Sequence, residues 1–106
     1  MSKYKVEFTS RVNIQLRSIF SYIAENNAAA AVKMVDRIEE RSRRLADAPF
    51  VGVELTQGEY PFLPPGYRRL VSNPFLIYSR VIEKTVYITH IVHSRRNQWK
   101  ALKEDI

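Results

Sequence analysis

The sequence predicts an α+β fold in which a helical hairpin packs against an antiparallel sheet. Strand-like segments fill residues 67–93, and two segments with helical periodicity lie before them. The predicted order is strand, helix, helix, loop and three strands, which favours an N-terminal strand and a hairpin on a sheet of three to four strands. The 106 residues suffice for one core, so we expect residues 1–106 to form a single domain.

Three consecutive strands are predicted at Tyr67 to Val71, Phe75 to Ile82 and Thr85 to His93. Aromatic and β-branched side chains dominate the last two, which is typical of a pleated surface with one covered face. Connections of two or three residues make neighbouring strands antiparallel. The three strands are therefore expected to form a meander.

An opening strand is predicted at Tyr4 to Thr9, because apolar and polar side chains alternate there. The first helix follows, with Ser10 as its predicted N-cap and an end near Asn26 and Asn27. Its apolar face is formed by Val12, Leu16, Ile19, Phe20 and Ile23.

The second helix is predicted to begin at Ala28 and to end before Pro49. Because the break between the helices is short, we expect an antiparallel hairpin. Charged residues off its apolar stripe are interpreted as a solvated face, in which arginines pair with glutamates at helical spacing. These residues are Arg41, Arg43, Arg44, Glu39 and Glu40.

The segment from Phe50 to Pro65 is rich in glycine and proline and lacks periodicity, which predicts a loop. A short edge segment is possible within it, at Val53 to Leu55. The chain end from Gln98 to Ile106 is expected to add one helical turn or a frayed tail.

The positive charge of the chain is concentrated in its second half. The net charge is +6, and residues 60–103 contain eight basic residues against one acid. A localised cationic surface attracts a polyanion or an acidic protein.

Composition excludes several classes of site and location. The chain has no cysteine, and its two histidines lack an acidic cluster around them, so we expect neither a disulfide, a metal site nor a cofactor. No apolar run approaches the roughly 18 residues of a membrane span, and the N-terminus lacks the apolar region of a signal peptide. We therefore expect a cytoplasmic protein.

An ordered set of segments resembles the ParE/RelE superfamily of toxins from bacterial type II toxin-antitoxin systems, in particular its ParE-like branch. The resemblance covers nearly the whole chain. The histidine that ends the last strand and the two arginines that follow it are similar to the H-x-R-R close of ParE-type toxins. The matching segments are Ile19–Ile23, Leu45–Gly52, Pro65–Leu70, Ile77–Val81 and Val86–Arg96.

The resemblance implies one of two activities. ParE-like members inhibit DNA gyrase by trapping it on cleaved DNA, whereas RelE-like members are ribosome-dependent endoribonucleases that cut mRNA. Both are neutralised by an antitoxin that docks an extended or helical segment. Our leading hypothesis is a noncatalytic gyrase inhibitor held by a ParD-like antitoxin; the alternatives are an mRNA endoribonuclease and a degenerate toxin that acts as a complex partner.

If the chain were a ribonuclease, it would need a base, an acid and cations around one phosphate. The only candidates that the resemblance offers are Arg68, Arg80, His93 and Arg96, and no tyrosine follows the last strand to serve as the acid. We therefore favour a structural role for His93, and we interpret His90 as a residue of the sheet surface. Arg68 and Arg69 are expected on opposite faces of their strand, and a buried arginine there would need an acid such as Glu7 or Asp36.

A second set of residues is predicted to bind the target: Arg95, Arg96, Trp99 and Lys100. Tryptophan and arginine dominate the energetics of many protein interfaces. In the alternative interpretation, Trp99 folds back and caps the sheet. For the arginines of the second helix, contact with an acidic antitoxin is the alternative to a solvated face. No helix-turn-helix or other groove-binding motif is recognisable, which makes direct DNA binding less favoured.

Overall fold

The computed structural model describes residues 3–104, in which five strands form one sheet of order β1-β5-β4-β3-β2. The elements in chain order are β1 (Lys5–Phe8), α1 (Ser10–Ala24), α2 (Ala28–Arg43) followed by a 3₁₀ turn (Arg44–Ala46), β2 (Val53–Glu54), β3 (Tyr67–Ser72), β4 (Phe75–Ile82), β5 (Thr85–His93) and α3 (Gln98–Glu104). The predicted α+β fold is therefore confirmed. No helix among the described residues is long and apolar enough to cross a membrane.

The predicted meander is present, and β1 joins it from the other end of the chain. Strands β3, β4 and β5 pair antiparallel, whereas β1 lies parallel to β5 with Lys5 opposite Thr85. Strand β2 pairs with β3 over two residues only. With these two edge strands, the sheet has five strands and not the predicted three to four.

Both long helices begin at a side-chain cap. The hydroxyl of Thr9 accepts a hydrogen bond from the Val12 amide at 3.4 Å, so Thr9 is the N-cap of α1 and the predicted cap, Ser10, is its first residue. Both residues carry a hydroxyl group, but only Thr9 has the extended backbone that a cap requires. Asn27 caps α2, where its side chain accepts from the Ala30 amide at 3.0 Å.

One face of the sheet is covered by the helical hairpin. Ile38 of α2 and Val12 of α1 are fully buried against Ile77, Val86 and Ile88. Arg43 and Arg44, in contrast, point outward and pair with Glu39 at 3.8 Å and Glu40 at 2.6 Å, as the helical spacing predicted.

The other face of the sheet is covered as well, which the sequence did not predict. The segment after β2 and helix α3 pack onto it, and they bury a second cluster of apolar residues. Its buried members are Leu55, Tyr60, Leu63, Tyr78, Val92, Ala101 and Leu102. The end of the chain is therefore an integral helix up to Glu104; residues 105 and 106 lie outside the described part.

Truncating Leu102 tests whether α3 is part of the folded core. Because this side chain is fully buried, Leu102→Ala should lower the free energy of unfolding by about 2–5 kcal/mol. The neighbouring exposed Lys100→Ala should change it by less than about 0.5 kcal/mol. Chemical denaturation of both variants measures the difference, and equal stabilities would contradict this packing.

Candidate functional site

An apolar groove lies beside the helical hairpin at the end of the sheet where β5 finishes. We call it the hairpin groove; its volume is about 540 Å³, and its lining includes Ile14, Ile19, Tyr22, Met34, Phe75 and Ile91. Tyr22 is 76% exposed and Ile14 is 58% exposed, so large apolar side chains face solvent here. Exposed apolar surface of this kind marks sites of protein interaction.

The hairpin groove exists because α1 replaces β1 as the neighbour of β5. Strand β1 ends at Phe8, but β5 continues to His93. Two side chains of α1 then satisfy the exposed backbone of β5: Gln15 accepts from the Ile91 amide at 2.8 Å, and Arg11 donates to the Thr89 carbonyl at 3.3 Å. A helix covers the strand edge less closely than a strand, which leaves the apolar side of α1 partly open.

His93 and Arg96 line one rim of the hairpin groove. The Nδ1 atom of His93 accepts a hydrogen bond from the Arg95 amide at 3.1 Å, and its carbonyl accepts from the Arg96 amide at 3.0 Å. Its ring meets the Phe75 ring edge-on at 5.2 Å. His93 therefore shapes the turn that follows β5, which supports the structural role favoured from the sequence.

Gln98 fixes the conformation of this turn, residues 94–97, which we call the basic turn. Its amide nitrogen donates to the carbonyls of His93 and Arg96 at 2.8 and 2.9 Å. Its amide oxygen accepts from the hydroxyl of Tyr78 at 2.6 Å. Burial raises the pKa of Tyr78 to about 12, so this hydroxyl stays protonated and continues to donate.

The four residues predicted to bind a target lie together on the basic turn and the first turn of α3. Arg95, Arg96 and Lys100 are exposed, and Lys100 pairs with Glu104 at 3.8 Å. Trp99 is 43% exposed, yet its indole donates to the Glu59 carbonyl at 3.0 Å and packs edge-on against Phe62. Trp99 thus anchors the segment after β2, and the ammonium group of Lys103 lies over its ring, 4.7 Å from the centroid.

The four candidate catalytic residues, in contrast, do not converge. His93 pairs with Phe75 at the start of β4, whereas Arg80 lies five residues further along that strand, about 17 Å away. Arg68 is on the hairpin face of the sheet, with Leu70, and Arg80 is on the opposite face over the Tyr67 ring. Arg96 lies with His93 at the far end.

The two arginines near the start of β3 and the end of β4 have structural partners. Arg68 donates to the carbonyls of Phe50 and Gly52 at 3.0 and 2.8 Å and lies 3.8 Å from a carboxylate oxygen of Glu54. The expected acid, Glu7 or Asp36, is therefore not its partner, because the loop after α2 supplies backbone oxygens instead. Arg80 donates to the Pro65 carbonyl at 3.3 Å.

His90 was expected at the sheet surface, but it is buried, with 1% of its surface exposed. The unpredicted cover of the second face explains the difference, because a β-bulge directs His90 to that face: Ser79 pairs with Ile88 and Tyr78 pairs with His90, so Thr89 is an extra residue in β5. The bulge turns His90 to the face of α3. Burial, with the nearby charge of Arg11, lowers the pKa of His90 to about 4.

This buried histidine makes stability depend on pH. The unfolded chain binds a proton at His90 near pH 6.5, whereas the folded protein binds it only near pH 4. Stability should therefore fall as the pH drops through this window, by about 3 kcal/mol at most. Denaturation of the wild type and of His90→Gln between pH 7 and 4 checks this. The difference in free energy of unfolding between the two proteins should shrink or reverse toward pH 4. Equal pH dependence of the two free energies would contradict the lowered pKa of His90.

Sequence analysis missed Gln98 and Tyr78 as the support of the basic turn, and it missed the hairpin groove. A signal for the groove was present, since Ile14 and Tyr22 are apolar residues outside the stripe that covers the sheet. No comparable signal marks Gln98, because its hydrogen bond with Tyr78 depends on how α3 packs on the sheet.

Comparison with known proteins places the chain in a family. A family model described as the ParE toxin of type II toxin-antitoxin systems, parDE, matches residues 6–98. A solved structure described as a chromosomal ParDE TA system from P. aeruginosa has a similar fold, with a TM-score of 0.69 and 24% identity over 86% of this chain and 96% of that one. No curated protein matches significantly. Since the family model spans most of the sequence, the chain belongs to the ParE toxins of type II toxin-antitoxin systems.

Proposed function

We propose that this chain inhibits DNA gyrase and that a ParD-like antitoxin neutralises it in the cytoplasm. The observation that carries the proposal is the arrangement of an apolar groove with an exposed basic turn at its rim. The groove suits a partner with an apolar face, and the basic turn suits a partner with negative charge. Family membership supplies the kind of system.

The hairpin groove is the proposed site of the antitoxin. Its floor and walls are aliphatic and aromatic, and it runs alongside a helix, which suits the apolar face of an amphipathic segment. The solved structure of similar fold is described as a ParDE system, which supports an antitoxin of the ParD kind.

The basic turn and the start of α3 are the proposed surface for gyrase on cleaved DNA. Arg95 and Arg96 are exposed, and Trp99, which follows them closely in sequence, is 43% exposed. Arginine and tryptophan are common anchors of protein interfaces, and the positive charge complements an enzyme bound to DNA. Gln98 holds this surface in one conformation, which lowers the entropy cost of binding.

The alternative, ribosome-dependent cleavage of mRNA, is less well supported. That chemistry needs an acid, a base and cations around a single phosphate. Arg68 and Arg80 lie on opposite faces of the sheet, and His93 lies at its other end. Because these three residues are far apart, a protein that binds its target without cleaving a bond fits the structure better than a ribonuclease does.

The first test is a supercoiling and DNA-cleavage assay with purified gyrase and ATP. Linear DNA should accumulate when the free toxin is added, and it should disappear when the antitoxin encoded beside it is restored. No effect from folded protein would refute gyrase inhibition, and cleavage of mRNA on translating ribosomes would then establish the alternative. A chain without either activity would be a degenerate toxin.

Replacing Arg95 and Arg96 together by alanine should weaken gyrase inhibition about tenfold or more, since two exposed interface cations are lost. Deletion of Gln98 to Ile106 is unsuitable as a test because it would also remove buried Ala101 and Leu102. The matched control is Lys33→Ala with Arg37→Ala, which removes the same charge from the exposed side of α2. Equal inhibition by both double variants would exclude the basic turn as the target surface.

His93→Ala separates the two candidate activities. A ribonuclease that uses His93 as its acid or base should lose about 10²-fold or more of its rate. A gyrase inhibitor should retain most of its inhibition, because Gln98 still holds the basic turn through the main-chain carbonyls of residue 93 and Arg96. Thermal unfolding of the variant confirms that it is folded before either assay is interpreted.

The hairpin groove is tested by a pair of matched substitutions on exposed isoleucines. Ile14→Ser lies in the groove, and Ile82→Ser lies at the end of β4 outside it. Ile14→Ser should weaken antitoxin binding about tenfold, because one apolar contact is lost. Ile82→Ser should weaken it less than about twofold, because this residue lies outside the groove. Calorimetric titration with the antitoxin measures both affinities, and equal effects would contradict this location.

A further inference from the structure

The second face of the sheet, on which α3 lies, is covered only in part. Helix α3 and the segment after β2 pack over Leu76, Tyr78 and Val92. Toward the start of β3 and of β5, four side chains of the same face are half-buried and reach solvent. We call them the tyrosine-arginine patch: Tyr67, Arg69, Arg80 and Tyr87.

The alternation of side chains along each strand places these four residues on one face. Val86 and Ile88 belong to the core under the hairpin, so Tyr87 between them points to the second face. Leu70 also packs in the hairpin core, so its neighbour Arg69 points away from the hairpin. Tyr67 packs against the second cluster, and the Arg80 guanidinium lies over its ring, 5.8 Å from the centroid.

Strand register lines up three of the four residues in one row across the sheet. Tyr67 pairs with Arg80, and Arg80 pairs with Tyr87, so an arginine stands between two tyrosines. Neighbouring strands are about 4.8 Å apart, which puts the two tyrosines about 10 Å from each other. The buried ring of His90 lies 6.5 Å from that of Tyr67, centroid to centroid, and supports it on the sheet.

The two arginines of the patch have no acidic partner among residues 3–104. The ion pairs of this part of the chain involve other residues. Arg80 donates to the Pro65 carbonyl at 3.3 Å, which leaves its charge uncompensated. Glu7 lies opposite Tyr87 on β1, but it pairs with Lys5 at 2.7 Å. The patch therefore presents two positive charges beside two aromatic rings.

We propose that the tyrosine-arginine patch binds single-stranded DNA. Bases stack on Tyr67 and Tyr87, and the phosphates between them contact Arg80 and Arg69. Aromatic side chains interleaved with cations on an open surface are the usual platform for an unpaired strand, because every base offers a face for stacking. The inference deepens the proposed function and rests on it for the choice of DNA, since the proposed target is gyrase on cleaved DNA.

The chemistry of the patch separates this ligand from other polyanions. In a duplex the bases are already stacked on each other, so they cannot reach the two tyrosines. An acidic protein would satisfy the arginines through its carboxylates but has no base to stack on the rings. A second copy of this chain carries the same net charge of +6, which opposes its approach.

Fluorescence anisotropy with a labelled oligothymidine of about twelve nucleotides tests the proposal on the free toxin, since single-strand sites span about 4–16 nucleotides. The single strand should bind at least about tenfold more tightly than a duplex of equal length. Its affinity should fall with salt, with a slope of about −0.7 in log–log form for each phosphate contact.

Substitutions at Tyr87 and Arg80 locate the binding surface. Tyr87→Leu should weaken oligothymidine binding about tenfold, whereas Tyr87→Phe keeps the ring and should retain it. Arg80→Met should also weaken binding about tenfold. Arg17→Met removes the same charge from an exposed position on α1 and should change the affinity less than about twofold. Thermal unfolding of each variant confirms that it is folded.

Several results would overturn the proposal. They are equal binding of the single strand and the duplex, equal losses in Arg80→Met and Arg17→Met, or an oligouridine of equal length bound tenfold more tightly, which would assign the patch to RNA. The gyrase assay is read separately. If the toxin inhibits gyrase but does not bind oligothymidine, this proposal fails and the proposed function stands. If it binds oligothymidine through Tyr87 and Arg80 but leaves gyrase unaffected, the patch is confirmed and the proposed function fails.

Discussion

The side chain of Gln98 joins the buried part of the sheet to the exposed basic turn. It gives the buried hydroxyl of Tyr78 an acceptor, and leaving such a group unpaired costs about 1–3 kcal/mol. The same amide holds the carbonyls of His93 and Arg96. The packing of α3 on the second face therefore places Gln98 where it holds the basic turn. The buried Tyr78 thus helps to position Arg95 and Arg96 through Gln98.

The two edges of the sheet are covered differently, and the hairpin groove results from the arrangement at one of them. Where β1 ends, α1 takes over, and Arg11 and Gln15 satisfy the backbone of β5 with side-chain hydrogen bonds. The cost of that arrangement is apolar surface on α1 that the sheet does not cover. Where β2 ends, no described element takes over, and Val71 remains at an open edge.

Much of the fold could be predicted from the sequence, because the meander has unambiguous strand composition and short turns. Strands β4 and β5 have the predicted bounds, and β3 differs by one residue. The cover of the second face could not be predicted, since the segment after β2 has no periodicity and contacts the sheet only through residues such as Tyr60 and Leu63. The alternation of side chains between the two faces of a strand is also interrupted at Thr89. One bulge residue moves His90 from one face of β5 to the other.

The candidate site was predictable only where its residues are neighbours in sequence. Arg95, Arg96, Trp99 and Lys100 lie within six consecutive positions, so a turn and a helix keep them together. Arg68, Arg80 and His93 come from three strands, and strand register places them apart. Arg96, in contrast, belongs both to the basic turn and to the rim of the hairpin groove, which are the two surfaces of the proposed function. An antitoxin segment in the groove would contact part of the surface that gyrase needs, so neutralisation would follow from direct competition without any change in the fold.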